Sequence, residues 1–516
     1  MSAPAPDDGI ISGSRHMSTE ELNRRSLLIA QGFAALGIGA NDSVALFLRN
    51  DFAFFEASFA AGLLGAYPVP VNWHYTPDEA GYVLRDCAAK AVVVHADLLP
   101  QLRDALPAGC ALIVVATPPE IIDAYGPTPE AATVPGGMTD WDDWRESQTP
   151  WQGEPAAQRG SMIYTSGTTG RPKGVRKEPQ TPEMLANGLA MAATVFDLKP
   201  DAPVRTVVTG PMYHTAPNGY AMLAARFGGL VVLQPRFSTE GLLALIERHR
   251  LTHIHMVPTM FVRLLKLPEE VQSKYDLSSL RFVVHAAAPC PPFVKREMIR
   301  WWGPVINEYY GSTEAGGTNF HTSAEALAKP GTVGRPIPGA VVKIFDDEGR
   351  ELGPNQVGAI YTRILGTADF TYHGRQSERD EIERDGLITS GDMGLIDDDG
   401  YLFLRDRKKD MVISGGVNIY PAEIESVLLQ MPGVRDCAVF GIPDEEFGES
   451  LCAYIEPDDG VALTQEDVRA FARANMAGFK VPKRVEFSQS LPREDSGKIF
   501  KRKLREPFWA DAGRSI

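Results

Sequence analysis

Residues 162–174 read MIYTSGTTGRPKG: an apolar pair runs into three glycines, the hydroxyl residues Thr165, Ser166, Thr168 and Thr169, and then Lys173. An apolar run that empties into a glycine-rich turn predicts a strand of an α/β sheet ending at a loop. Glycines let backbone N–H groups converge, hydroxyls add donors and a lysine adds a mobile cation, which together describe a phosphate cradle. The spacing is not the GxxxxGK[ST] of a Walker P-loop. On glycine and hydroxyl content alone, a flexible surface loop is equally compatible.

Outward from this segment, short apolar runs alternate with helix-length stretches. N-terminal to it, helical spacing over residues 17–36 is followed by runs at 44–48, 91–94 and 111–116. C-terminal to it, runs at 162–164, 206–208, 230–233, 253–257 and 282–284 are separated by stretches such as the helix predicted over 239–249. Parallel sheets in an α/β body follow from this rhythm. From about Gly331 closely spaced turns predict a small β region, and after Lys409 a further stretch opens with a helix predicted over 421–430. The expected architecture is therefore α/β, with a large N-terminal domain over 1–408 and a small C-terminal α+β domain over 409–516.

At 516 residues one core is too few. Apolar residues make up 44% and charged residues 23%, which excludes a wholly disordered chain. The net charge of −15 disfavours nucleic acid and anionic lipid as constitutive partners, so any polyanion site must be local. Five scattered cysteines without a CxxC pair support neither a disulfide framework nor a zinc site, and with no basic-plus-apolar leader they predict a cytoplasmic location. Residues 52–71 are apolar but carry Glu56, Gly62, Gly65, Pro68 and Pro70. They predict a buried helix and a strand, with no integral membrane segment.

Residues 307–314, NEYYGSTE, again follow an apolar pair. Tyr309 and Tyr310 offer rings for a base, Gly311 allows close approach, and Glu314 after Thr313 suits Mg²⁺ held against a phosphate; a core tyrosine pair is the plainer alternative. These two segments, with 389–392 (TSGD), 406–410 (DRKKD), 414–425 (SGGVNIYPAEIE) and 496–498 (SGK), resemble in order the motifs of adenylate-forming enzymes, a superfamily of acyl- and aryl-CoA synthetases, peptide-synthetase adenylation domains and beetle luciferases.

The resemblance implies two subdomains and a distorted β-barrel region in the large domain, and a mobile small one. It also implies a two-step reaction in which a carboxylate attacks the α-phosphate of MgATP and a thiol then displaces AMP. It places Thr165, Ser166, Gly167, Thr168, Thr169, Gly170 and Lys173 at the phosphates, Thr313 at the α-phosphate and Glu314 at the Mg²⁺. Ala287, Ala288 and Pro289, with Glu308, Tyr309, Tyr310 and Gly311, fall beside adenine, and Asp392 and Arg407 at the ribose. Lys498 becomes the catalytic lysine of the first step, Lys409 the hinge, and Ser414, Gly415 and Gly416 part of the path to the thiol of coenzyme A. His214 matches a position near the substrate carboxylate, a core histidine being its structural alternative.

The chain departs from the common pattern at Ala286–Ala288, where glycines are usual, at Asp406, where glycine is frequent, and at Glu494, where threonine is frequent. Residues 479–505 hold nine basic side chains against three acidic ones, an excess of six that suits either phosphate attraction or a solvated helix end. The stretch 213–236, which with His285 and Tyr309 the resemblance places around the acid, is rich in alanine, glycine and apolar residues and predicts a hydrophobic acid; residues 282–308 and 406–411 resemble fatty-acid and bulky-ring CoA ligases, which implies a fatty or bulky cyclic one. The expected reaction is an acid:CoA ligation using ATP and Mg²⁺. Loading of a carrier protein is the alternative, though no carrier segment follows Ile516. An inactive nucleotide-binding regulator and a luciferase-type oxygenase are more distant readings. A homodimer is compatible with the sequence.

Overall fold

The computed structural model describes residues 7–102, 105–157, 159–165, 171–407, 410–493 and 499–510. Its largest element is a nine-stranded sheet whose spatial order is Arg335–Pro336, Gly316–His321, Ile306–Ser312, Phe282–His285, His253–Met256, Arg205–Val208, Leu230–Leu233, Gly9–Ser12 and Arg15–Met17. The six strands from Ile306–Ser312 to Gly9–Ser12 are mutually parallel, and the edges are antiparallel. The chain leaves Arg205–Val208 for Leu230–Leu233 on one side and then returns to His253–Met256 on the other. That reversal makes the C-terminal end of Arg205–Val208 a topological switch point, where open α/β sheets form a crevice.

Local chemistry sets these elements. Helix Thr239–His249 is capped by the Ser238 hydroxyl, which accepts from the Gly241 N–H, and ends at Arg250 with φ 49°. It buries Leu242, Leu243 and Ile246 against the sheet. Helix Phe52–Leu63 is buried over most of its surface and leads into strand Tyr67–Pro70, as its composition predicts. Its one acid, Glu56, is neutralised by Arg25 and Arg145 and accepts from the Trp141 indole. No helix of the described residues is long and apolar enough to cross a membrane.

A second α/β layer is the all-parallel sheet Tyr67–Pro70, Ser43–Phe47, Ala89–His95, Ala111–Val115 and Thr139–Asp140. The turn-rich stretch after residue 331 forms an antiparallel half-barrel from Ala340–Phe345, Gly358–Ile364, Glu383–Arg384, Leu387–Ile396 and Leu402–Arg407. Strand Lys173–Lys177 pairs with Ile163–Thr165 on one side and Phe370–Tyr372 on the other in a small three-stranded sheet.

The C-terminal unit has its own core of Val412, Ile424, Leu428, Val439, Ala453, Val468 and Val485. Its predicted helix is Pro421–Leu428, two residues shorter than expected. The chain thus has a large N-terminal α/β domain and a small C-terminal one. Hairpin Gly9–Ser12/Arg15–Met17, which extends the nine-stranded sheet, lies outside the sequence-based expectation.

Candidate active site

Among the sequence-selected groups, His214, Ala287–Pro289 and Thr313 follow the C-terminal ends of the parallel strands Arg205–Val208, Phe282–His285 and Ile306–Ser312. Strand Arg205–Val208 ends in a loop that Asn50 clamps from the other sheet. Its amide donates to the Gly210 carbonyl (2.9 Å) and its oxygen accepts from the Met212 N–H (2.9 Å). Asn218 adds a bond to the Met212 carbonyl at 3.0 Å. This loop delivers His214 to the N-cap of helix Thr215–Arg226, its ring 4.5 Å from that of Tyr213, which packs edge-on against Trp73. The next residue, Thr215, shares a 2.7 Å hydroxyl–hydroxyl bond with Thr313. Asn50, Asn218 and Thr215 escape sequence reading because their partners lie up to 162 residues away.

Strand Ile306–Ser312 distributes the second motif over different environments. The Tyr310 hydroxyl donates to Asp392 at 2.8 Å, Ser390 donates to the same carboxylate at 2.7 Å, and Arg407 Nε stands 3.4 Å from its other oxygen. Asp392 and Arg407 are register partners on adjacent strands. Burial, and then the Asp392 charge, push the Tyr310 phenol well above its ordinary range, so it remains a donor. Tyr309 instead faces a buried aromatic group: its hydroxyl is 3.2 Å from His255 Nε2, and its ring meets Phe196 edge-on at 5.4 Å. Burial brings His255 down to about 4, so it is neutral. His253, on the same strand, lies 3.3 Å from Asp197.

Glu308, assigned to the nucleotide by resemblance, is buried in an ion pair with Lys295 and contacts His321 at 2.9 Å. Gly311 serves a close approach of backbone, since a Cβ there would lie 2.0 Å from the Gly316 carbonyl oxygen.

Ala287 lies at φ 74°, between buried Ala286 and half-buried Ala288, with Pro289 exposed. That left-handed conformation costs an alanine about 1–2 kcal/mol, which accounts for the glycine usual in this motif. Ala287→Gly relieves the strain but adds unfolded-chain entropy, so a net gain of about 0.5 kcal/mol is expected. Ala287→Val should lose about 2 kcal/mol. Urea unfolding midpoints check both. Cys290 behaves as the small hydrophobe expected of it, with its thiol pushed up to about 12 by burial.

Lys173 starts the strand that pairs with Phe370–Tyr372, and its ammonium is held by Glu378 and lies 5.2 Å over the Tyr372 ring. The Tyr372 hydroxyl donates to Glu314 at 3.0 Å. Cradle lysine and candidate magnesium carboxylate are thus linked through one tyrosine. Thr165 closes the first cradle strand, while Ser166, Gly167, Thr168, Thr169 and Gly170 lie outside the described residues, as do Lys409 and Lys498. Ser414, Gly415 and Gly416 make the turn between strands Val412–Ser414 and Val417–Ile419, fixed by the Gly415 N–H donating to the Phe447 carbonyl (2.8 Å).

Within 479–505 the described basic groups are largely committed: Lys480 to Glu423, Lys483 to Asp444, Arg493 to Asp436, Lys501 to Glu425 and Arg502 to Glu506. The excess positive charge of this stretch is therefore a set of local pairs rather than an open phosphate-attracting face.

The model of the AMP-binding enzyme family matches residues 2–369, and that of the AMP-binding enzyme C-terminal domain matches 423–498. This chain belongs to the AMP-binding, adenylate-forming enzymes. It is 32% identical to a fatty acid–[acyl-carrier-protein] ligase of Streptomyces coeruleorubidus over 517 residues, covering 98% of this chain and 94% of the relative. It is 34% identical to a feruloyl-CoA synthase of Amycolatopsis sp over 504 residues, covering 96% and 95%. Among solved structures, an anthranilate CoA ligase in complex with anthranoyl-AMP superposes with a TM-score of 0.84 at 26% identity, covering 98% of this chain and 95% of that one. The motifs read from sequence and the ligase family thus agree.

Proposed function

We propose that this enzyme is an ATP-dependent carboxylic acid:CoA ligase that works through an acyl-AMP intermediate on a hydrophobic acid. The observation that carries the reading is the convergence of Tyr310, Asp392 and Arg407 beside the Thr313–Thr215 pair at the switch-point edge. A carboxylate that already accepts from hydroxyls suits the two hydroxyls of a ribose. Arg407 orients that carboxylate, and the Tyr310 ring, with Ala287, Ala288 and Pro289 on the neighbouring loop, supplies an apolar face for the base.

In the first step an oxygen of the substrate carboxylate bonds to the α-phosphorus and the bond to the bridging oxygen breaks, so pyrophosphate leaves with the electron pair. Negative charge grows on the phosphate oxygens, where the Thr313 hydroxyl, the cradle 165–170, Lys173 and Lys498 would donate. Lys173 exchanges Glu378 for phosphate as ATP enters. His214 stands at the start of helix Thr215–Arg226, a suitable place to orient the carboxylate. Glu314, an oxygen donor already oriented by Tyr372, has the hard-ligand chemistry that Mg²⁺ takes and would hold it. When bound, Mg²⁺ neutralises phosphate charge. In the second step a thiol sulfur bonds to the acyl carbon and AMP departs.

We place the boundary of the two domains at 408/409, with Lys409 as the pivot between steps and Ser414–Gly416 on the thiol path. Loading of a carrier protein, the reaction that the Streptomyces relative is named for, shares the first step. The test is a product analysis over fatty, cinnamic-type and cyclic acids with ATP, Mg²⁺ and either CoA or a carrier protein. AMP, pyrophosphate and an acyl-CoA are expected. ADP as product would overturn the adenylate reading, and thioester on the carrier alone would overturn the CoA reading.

A further inference from the structure

Asp406 lies next to Arg407 on strand Leu402–Arg407, the last strand of the half-barrel, and its contacts reach into the C-terminal unit. One carboxylate oxygen accepts from the Arg407 N–H at 2.8 Å. The other accepts from the Ala422 N–H at 3.1 Å, in the first turn of helix Pro421–Leu428. The N-cap residue of that helix, Tyr420, makes no side-chain capping bond. The cap thus comes from the other domain, and a carboxylate is the favoured group at the positive end of a helix.

The same carboxylate lies in the field of Lys501, which pairs with Glu425 at 2.7 Å and also feels Asp410. Lys501 begins helix Lys501–Trp509, whose Trp509 indole donates to the Gly441 carbonyl at 3.0 Å. It stands two residues beyond Ile499, which is bridged to Arg493. Arg493 and Ile499, the described residues that flank Lys498 in the sequence, are thus bridged to each other, and Lys501 just beyond them lies in the field of Asp406.

The small domain is also tied to the large one. Arg263, on the helix that follows strand His253–Met256, feels the charge of Arg493. Lys266 donates to the carbonyls of Val434 (3.2 Å) and Arg435 (3.0 Å) and pairs with Asp458 at 3.1 Å. The contacts of Lys266 thus join the small domain to the end of helix Pro258–Leu265, which follows a central strand of the nine-stranded sheet.

We propose that Asp406 is a positioning residue that, by capping helix Pro421–Leu428 and facing Lys501, braces the C-terminal domain in the arrangement that serves adenylate formation. The inference rests on the two-step reading above. Rotation about the boundary breaks the Asp406 contacts, so they weigh on one arrangement only, and a group that favours one of two states shifts their ratio by its differential interaction.

The test compares wild type, Asp406→Ala and Asp406→Asn in two half-reactions, pyrophosphate release and thioester formation from supplied acyl-AMP, together with the rate of tryptic cleavage after Lys408 and Lys409. Asp406→Ala should slow adenylate formation about tenfold, the scale of one charge-assisted hydrogen bond. It should leave KM for ATP and the second half-reaction unchanged, and speed linker cleavage. Asp406→Asn keeps an acceptor for Ala422 and should fall between. Equal loss in both half-reactions, a raised KM for ATP, or no change in either half-reaction overturns the brace. If the wild type forms no acyl-AMP from any acid, the enzymatic reading fails by itself, and cleavage rates alone decide: faster cleavage in Asp406→Ala supports the brace, and equal rates overturn it.

Discussion

Lys498→Ala is expected to slow adenylate formation by a factor of about a hundred or more while leaving thioester formation from supplied acyl-AMP nearly intact. In the proposed first step negative charge spreads over the phosphate oxygens as pyrophosphate leaves, and Lys498 is the donor assigned to that charge. Losing one charged donor aimed at such charge costs about 3 kcal/mol in the transition state, which corresponds to that factor. The bridge between Arg493 and Ile499 ties both ends of the segment carrying Lys498. Arg493 is itself paired with Asp436 at 2.7 Å, so removing one side chain between these ends should leave the fold of the small domain intact. Pyrophosphate release and CoA consumption, measured separately, check the result. Equal loss in both would assign Lys498 a structural role.

Elements set by local signals could be read from the sequence, and those set by distant partners could not. Helix Thr239–His249 and strand Leu230–Leu233 were legible because a serine cap, an apolar stripe and a four-residue apolar run are local signals. Hairpin Gly9–Ser12/Arg15–Met17 was not, because such short strands exist through pairing with Leu230–Leu233, more than two hundred residues away.

In the site, Asp392 and Arg407 were recognisable as motif members, but their register pairing depends on where a β-bulge falls between Met393 and Gly394. The Lys173–Glu378 pair, with Tyr372 and Glu314 beside it, required the small three-stranded sheet to bring distant segments together. Glu308 shows the opposite case. Its place in a nucleotide motif suggested a ligand contact, whereas its burial demands a cation, and Lys295 supplies it.

Lys295→Met should therefore lower the stability of the large domain by about 3–5 kcal/mol, the cost of leaving a buried charge without its partner. Burial alone would raise the Glu308 carboxyl, but the Lys295 ammonium, His285 and His321 outweigh it and hold the group well below the usual carboxylate range. A carboxylate depressed in the folded state adds stability that is present above its unfolded value near 4.5 and is lost as pH falls through the folded value.

In the variant the balance reverses, because a buried Glu308 without the ammonium takes up a proton more readily. Its penalty is then full at neutral pH and fades as the solution is acidified. The gap between wild type and Lys295→Met in chemical-unfolding midpoint should thus be widest near pH 7 and narrow towards pH 5. Glu308→Gln added to Lys295→Met removes the orphaned charge and should recover much of the loss. A gap independent of pH, or no recovery in the double variant, would show that Lys295 supports the strand through packing rather than charge. Tyr310 follows Glu308 by two residues on strand Ile306–Ser312, so the single variant should also weaken ATP binding, and the double variant should restore it.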